Sequence, residues 1–263
     1  AQILRSLERV EESFDSAWLS DHMIPWADWQ SRDTDNLEAW TTINYLIGVF
    51  KRLSFGHIVL CNSYRNPALL AKMAANLSLL APGRFILGIG AGWLRDEYLS
   101  YGYKFLEASA RIEALEEAVQ IIRKMWTENV VHFRGKHFNV AGAYCNPKPS
   151  PLPPIMIGGG GEKLTLRVVA SHADWWNCPN LTVEEYRRKL DALKHHCEEV
   201  GRRYEAIKKT WLGCIAIAKT HDEALRMAKN SPFVAKETRF NPMRATIIGN
   251  PEQVSQRLAE FVD

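Results

Sequence analysis

The stretch Pro153–Ala170, PPIMIGGGGEKLTLRVVA, decides how this sequence folds. Ile155, Met156 and Ile157 form a short apolar run of the length expected for a buried strand, and the residues after Gly161 are read as a helix. Between the two stand Gly158, Gly159, Gly160 and Gly161. Each glycine loses more conformational freedom on folding than any other residue, so a run of four needs a reason. At a strand-to-helix junction the reason is proximity: without Cβ atoms a ligand can approach the backbone. The N–H groups opening the helix, together with its dipole, also attract an anion. The expectation is an anion site built from the N–H groups of Gly159 to Lys163, each charge-assisted bond worth roughly 1.5–3 kcal/mol.

The same strand-then-helix unit recurs on both sides. Toward the N-terminus, Ile3, Leu4, Leu7, Val10 and Phe14 mark a helix, SAWLSDH (Ser16–His22) a strand, Leu37 to Ile47 a helix, and FGHIVLC (Phe55–Cys61) a buried strand. Asn66 and Pro67 are the cap and first residue of the next helix. RFILGIGAG (Arg84–Gly92) is a strand running into glycines, and Ile112, Leu115, Val119, Ile122 and Trp126 are the stripe of a long amphipathic helix. VVHFRGKHFNV (Val130–Val140) breaks the rhythm as a hairpin turning at Arg134-Gly135. Toward the C-terminus, ADWWNCP (Ala173–Pro179) and KKTWLGCIAIA (Lys208–Ala218) are strands. Tyr186 to Val200, HDEALRMAKNS (His221–Ser231) and NPEQVSQRLAEFV (Asn250–Val262) are helices. Trp175 and Trp176 are expected to split, one ring toward the barrel and one toward the helices.

Alternating strands and helices imply a parallel sheet with crossover helices, either doubly wound or closed as a (β/α) barrel. Both place working residues at the carboxyl ends of strands. Those residues here are Asp21-His22, Cys61-Asn62, Gly90-Ala91-Gly92, Gly158 to Gly161, and Asn177. GIGAG (Gly88–Gly92) is not the GxGxxG fingerprint, so a flat ring laid against a glycine-rich strand end fits better than a Rossmann site. In SDHMIPW (Ser20–Trp26), Asp21 can accept a ring N–H or orient His22, His22 can move a proton near neutral pH, and Trp26 offers an apolar wall.

Composition narrows the partners. The chain has 263 residues, 46% hydrophobic and 24% charged, with a formal net charge of +3, an ordinary globular balance. Lys and Arg are scattered, so no nucleic-acid stripe is expected, and no apolar stretch reaches the roughly 20 residues of a membrane span. Five cysteines without a CxxC spacing read as reduced thiols of a cytoplasmic protein. His195-His196-Cys197 lacks metal-ligand spacing, so these histidines are read as an exposed helix face and no metal is expected. No GxSxG nucleophile motif occurs.

SAWLSDH, CNSYRNPALLAKMAA, GRFILGIGAGW, LEEAVQIIRKMWTE and PPIMIGGGGEKLTLRVVASHADWWN together resemble the bacterial luciferase-like superfamily, nearest its branch of oxidoreductases using the deazaflavin coenzyme F420. The resemblance covers nearly the whole chain. It implies one TIM (β/α)8-barrel domain with an insertion over residues 1–263, hydride transfer between F420 and a small organic substrate, and a homodimer. It also implies roles by position: His22 and Trp26 at the reaction centre; Asp21, Asn62, Gly90 and Ala91 beside the cofactor; a cis peptide at Ile58-Val59 beneath the ring; Gly158, Gly159, Gly160 and Gly161 on the phosphate-bearing tail. Two features depart from the pattern. The sugar-phosphate dehydrogenases of the branch carry a catalytic acid directly after the third glycine, where this chain has Trp93, so glucose-6-phosphate activity is not carried over. The first and last barrel strands are also not found, so six barrel strands with a gap at the seam are expected, from a longer working protein. The alternatives are an FMN-dependent monooxygenase on the same fold and a non-catalytic flavin-binding barrel.

Overall fold

The computed structural model describes residues 2–27, 29–235 and 242–262. Its main sheet is parallel and follows the chain. The strands are β1 (Ser16–Leu19), β2 (Ser54–His57), the two-residue β3 (Leu60–Cys61), β4 (Phe85–Gly90), β7 (Ile155–Gly158), β8 (Trp175–Pro179) and β9 (Lys208–Leu212). The path is β1-β2-β4-β7-β8-β9, with β3 bonded to β4 above β2. These are the six predicted strand positions, β2 and β3 sharing one. Among the described residues, β1 bonds only to β2 and β9 only to β8.

Helices cross between the strands: α1 (Gln2–Val10), α2 (Ala39–Val49), α3 (Pro67–Leu80), α4 (Arg95–Ser100), α5 (Ala108–Thr127), α6 (Thr165–His172) and α7 (Val183–Glu199). Their starts are legible. The Asn66 side chain accepts the N–H groups of Ala68 and Leu69 with Pro67 in the first turn, and Thr182 and Glu185 form a capping box on α7. The core lies between sheet and helices. Leu115, Val119, Ile122 and Trp126 of α5 pack there with Leu70, Leu77, Leu87 and Ile157, while Ile112 stays half-buried at the stripe's end. The hairpin β5 (Val131–Arg134) with β6 (Asn139–Ala143) docks on α5 because Glu117 accepts the N–H groups of Lys136, His137 and Phe138 at 2.7, 2.9 and 2.9 Å.

The two tryptophans of β8 split as alternation demands. Trp176 is buried, stacked on Tyr186 of α7 at 5.6 Å, and Trp175 meets Trp18 of β1 at 6.1 Å across the concave side. The C-terminal quarter differs from the expectation. KKTWLGCIAIA is two strands, because the chain breaks at Gly213-Cys214, where a Cβ on Gly213 would collide with the Trp211 ring. The second half, β10 (Ile215–Ile217), leaves the main sheet and pairs with β11 (Ile247–Gly249), flanked by α8 (His221–Asn230), α9 (Pro232–Ala235) and α10 (Pro251–Ala259). Among the described residues, no helix is long and apolar enough to cross a membrane.

Candidate active site

A cavity of about 490 Å³ opens at the carboxyl ends of β1, β3, β4, β7, β8 and β9, a volume in the range of small-ligand sites. Its shape begins at a bulge. Between Gly56 and Leu60 the β2–β3 strand has three residues where β4 has two between Ile86 and Ile89, and inside that bulge the Ile58–Val59 peptide is cis, as the resemblance implied. Val59 projects across neighbouring strand ends. A Cβ on Gly90 or Gly158 would come within 2.7 or 2.8 Å of its methyl groups, so those glycines make room for Val59. Ile58, Val59, Gly90, Ala91, Gly158, Gly159 and Gly160 all line the cavity.

The glycine run has a separate reason at each place. Gly158 clears Val59. Gly159 has φ +130°, which side chains rarely adopt. A Cβ on Gly160 would meet Cys178 Sγ at 2.5 Å, and one on Gly161 the Thr165 hydroxyl at 2.8 Å. Two details correct the expectation. Helix α6 starts at Thr165, four residues after the glycines' end at Gly161, with Glu162 to Leu164 in a turn. The Gly159 N–H is spent on Asn177 O at 2.9 Å as the β7–β8 ladder runs out. The N–H groups of Gly160, Gly161, Glu162 and Lys163 bond to no acceptor among the described residues. The loop is tied to α7: Lys189 Nζ bonds Glu162 Oε1 at 2.7 Å, and His196 Nε2 meets Glu162 O at the same distance. His196 is thus a loop anchor, 15% exposed, while His195 matches the predicted exposed face.

At the opposite wall Asp21 and His22 part company. Asp21 Oδ2 accepts the Cys61 N–H at 2.8 Å and Arg65 Nη1 at 2.7 Å, and Oδ1 accepts Arg65 Nη2 at 2.9 Å. Arg65 also bonds Glu38 at 2.6 Å, and Glu38 caps α2. Asp21 lines the cavity but does not orient His22, because these partners hold both its oxygens. Burial pushes its carboxyl up more than Arg65 pulls it down.

His22 is served by Glu97 of α4, a residue the sequence reading missed. His22 Nδ1 lies 3.2 Å from Glu97 Oε2, which also accepts the Tyr64 hydroxyl at 2.7 Å. Glu97 Oε1 accepts the N–H groups of Met23 and Ile24 at 2.6 and 3.2 Å. Glu97 is only 2% exposed. Burial alone would raise its carboxyl; the bonds to His22 and Tyr64 outweigh that and hold it below the ordinary value. The Trp93 ring packs edge-on against His22 at 5.5 Å, with Trp26 at 6.1 Å from the imidazole.

Three expected site residues lie off the wall. Asn62 is buried at the start of a single 3₁₀ turn after β3, Gly161 has passed the cavity's edge into the α6 turn, and Trp26 stands behind the imidazole. The two thiols on the wall, Cys61 and Cys178, are each pushed up to about 11 by burial, so they stay protonated and are poor nucleophiles. Arg111, also on the wall, rests over the Phe105 ring at 4.1 Å.

A family model described as luciferase-like monooxygenase matches residues 1–244. The chain belongs to the luciferase-like monooxygenase family. Among curated luciferase-like relatives, the F420-dependent glucose-6-phosphate dehydrogenase of Amycolatopsis mediterranei (strain U-32) is 32% identical over 228 residues, covering 82% of this chain and 65% of the relative. The protein of the same name from Kineococcus radiotolerans is 32% identical over 208 residues, covering 78% and 60%. The chain thus spans less than two thirds of the length of these relatives. Among solved structures, an F420-dependent secondary alcohol dehydrogenase in complex with an F420-acetone adduct superposes with a TM-score of 0.84 at 20% identity, covering 100% of this chain and 86% of the other. The long-chain alkane monooxygenase LadA superposes with a TM-score of 0.78 at 19% identity, covering 99% and 75%. These likenesses establish the luciferase-like TIM-barrel fold.

Proposed function

We propose that the chain is an oxidoreductase that uses the deazaflavin coenzyme F420 to transfer hydride to or from a small organic substrate. The observation that carries this reading is the pairing of two ends in one apolar cavity. At one end Gly160 lines the cavity and opens a loop, Gly160 to Lys163, whose N–H groups bond to no acceptor among the described residues; at the other is a histidine backed by a buried carboxylate. The chain's residues fit a flat ring with an anionic tail. Ile58, Val59, Leu60, Ala91 and Leu94 supply apolar walls, and the loop from Gly160 to Lys163 supplies donors for phosphate. When bound, the deazaflavin supplies a two-electron hydride acceptor or donor. His22 holds or returns a proton at the substrate oxygen, Asp21 and Arg65 fix the loop carrying it, and Trp93 with Trp26 keeps water from the imidazole.

The relatives' names do not transfer the sugar-phosphate substrate. Trp93 replaces the expected acid, and among the described lining residues the single cation, Arg111, is already engaged with Phe105 and with the Leu106 carbonyl. We also infer a homodimer, supported by exposed apolar side chains on α2 and α3 (Tyr45, Val49, Leu69 and Leu80), and a reducing, cytoplasmic setting, supported by five free cysteines. Mass spectrometry of cofactor extracted from the purified protein, with parallel titrations of F420 and FMN, tests the reading. F420 bound in preference supports it; FMN bound in preference, with oxygen-dependent turnover, replaces it with the monooxygenase.

A further inference from the structure

Glu97 is the most heavily bonded carboxylate at the cavity, and its partners fix more than its own position. Four groups address its two oxygens: the N–H groups of Met23 and Ile24 on Oε1, the Tyr64 hydroxyl and the His22 ring on Oε2. An ionised carboxylate only accepts, so each of the four must present a hydrogen. For His22 the nitrogen concerned is Nδ1. A neutral imidazole carries one hydrogen, so Nε2 is left with a lone pair, and it bonds to no described protein atom. Asp21, next in the chain, adds no competing acceptor, because Arg65 and Cys61 hold its oxygens.

We propose that Glu97 is a positioning residue that fixes neutral His22 as its Nδ1–H tautomer and thereby makes Nε2 the atom that takes or returns the substrate proton. In the oxidising direction a substrate O–H bond breaks, an Nε2–H bond forms, and the electron pair stays on oxygen; reduction reverses this. The Glu97 carboxylate then faces an imidazolium and stabilises it. A carboxylate orienting an acid–base histidine through the far nitrogen is a general device, with second-layer changes typically costing 10–100-fold in metal sites built the same way. Here the carboxylate comes from α4, four residues beyond Trp93, and with four donors on its two oxygens it acts through the histidine. The role in catalysis rests on the oxidoreductase reading above; the tautomer does not.

The test is nitrogen-15 NMR of protein labelled in its histidine rings, at about pH 8 where an ordinary histidine is neutral, with a His22→Gln spectrum identifying the signal. Wild type should show Nδ1 protonated and Nε2 bare. In Glu97→Gln the amide oxygen must face the two backbone N–H groups, which turns the amide NH₂ toward Nδ1, so the hydrogen should move to Nε2. Its kcat should fall 10–100-fold with KM little changed. Tyr64→Phe, which leaves the carboxylate in place, should keep Nδ1–H and serves if Glu97→Gln fails to fold. An Nε2–H tautomer in wild type or in Tyr64→Phe, or an unmoved hydrogen in folded Glu97→Gln, overturns the assignment. If the NMR results hold but wild type transfers no hydride with F420, the proposed function falls and the tautomer assignment stands.

Discussion

Asp21 and His22 are adjacent in sequence, yet each has its own charged counterpart, and the two counterparts differ in kind. Asp21 meets Arg65, a permanent cation, in a two-pronged pair that also takes the Cys61 N–H and reaches the cap of α2 through Glu38. His22 meets Glu97, a carboxylate fixed by two backbone N–H groups and a tyrosine. A guanidinium does not give up its proton at accessible pH, so the first pair can only hold. An imidazole does, so the second pair can hold and transfer. One strand end thus separates a mechanical part from a chemical one.

The largest expected effect breaks the chemical side alone. His22→Ala should lower turnover by roughly 10²–10⁴-fold, the range for a lost general acid–base group, and leave F420 affinity within about threefold. Steady-state kinetics with a cofactor titration check this; normal turnover on the true substrate removes the catalytic role. Next comes the mechanical side. Arg65→Ala leaves the Asp21 carboxylate buried without its partner, which should cost about 3–5 kcal/mol of stability in urea unfolding. A loss under about 1 kcal/mol, the size of an exposed pair, would mean that the pair does not hold the loop.

A smaller effect sharpens the contrast through pH. His57, buried as the first residue of the bulge, stacks on Trp40 at 5.3 Å, and neither ring nitrogen has a hydrogen-bond partner among the described residues. Burial and the nearby Arg65 charge lower it to about 3. The unfolded chain takes up this proton below about pH 6.5 while the folded one refuses it down to about 3. Stability from this group is therefore complete above pH 6.5 and is lost on acidification, by about 1.4 kcal/mol per pH unit at full slope. Unfolding free energies from urea titrations at pH 7 and pH 5 should differ by about 2 kcal/mol more in wild type than in His57→Phe. Equal differences would show that His57 takes its proton in the folded state.

Much of the scaffold could be read locally. Asn66-Pro67 announces α3, the α5 stripe announces its buried face, and the strand-then-helix rhythm gives the six sheet positions in order. The glycine run was legible as a junction but not in its detail, because the four reasons for its glycines lie on Val59, on a backbone angle, on Cys178 and on Thr165. The site's partners were less legible still. Arg65 and Glu97 lie 44 and 75 residues from Asp21 and His22, and only the side-by-side packing of strand ends brings them together. In RDEYLS a glutamate reads as a solvated helix face; the available signal was its place in the first turn of a helix opening directly above a glycine-rich strand end. The break at Gly213 was hidden because both halves of KKTWLGCIAIA satisfy a strand pattern.

The most direct measurement is a fluorescence titration of F420 into wild type and into Gly160→Val, with FMN run beside it. A branched side chain at Gly160 would collide with Cys178 and displace the loop whose N–H groups from Gly160 to Lys163 lack partners among the described residues. F420 should bind saturably and more tightly than FMN, and Gly160→Val should weaken its binding tenfold or more, about 1.4 kcal/mol. No saturable F420 binding, or an affinity that the substitution leaves unchanged, would contradict the F420 reading.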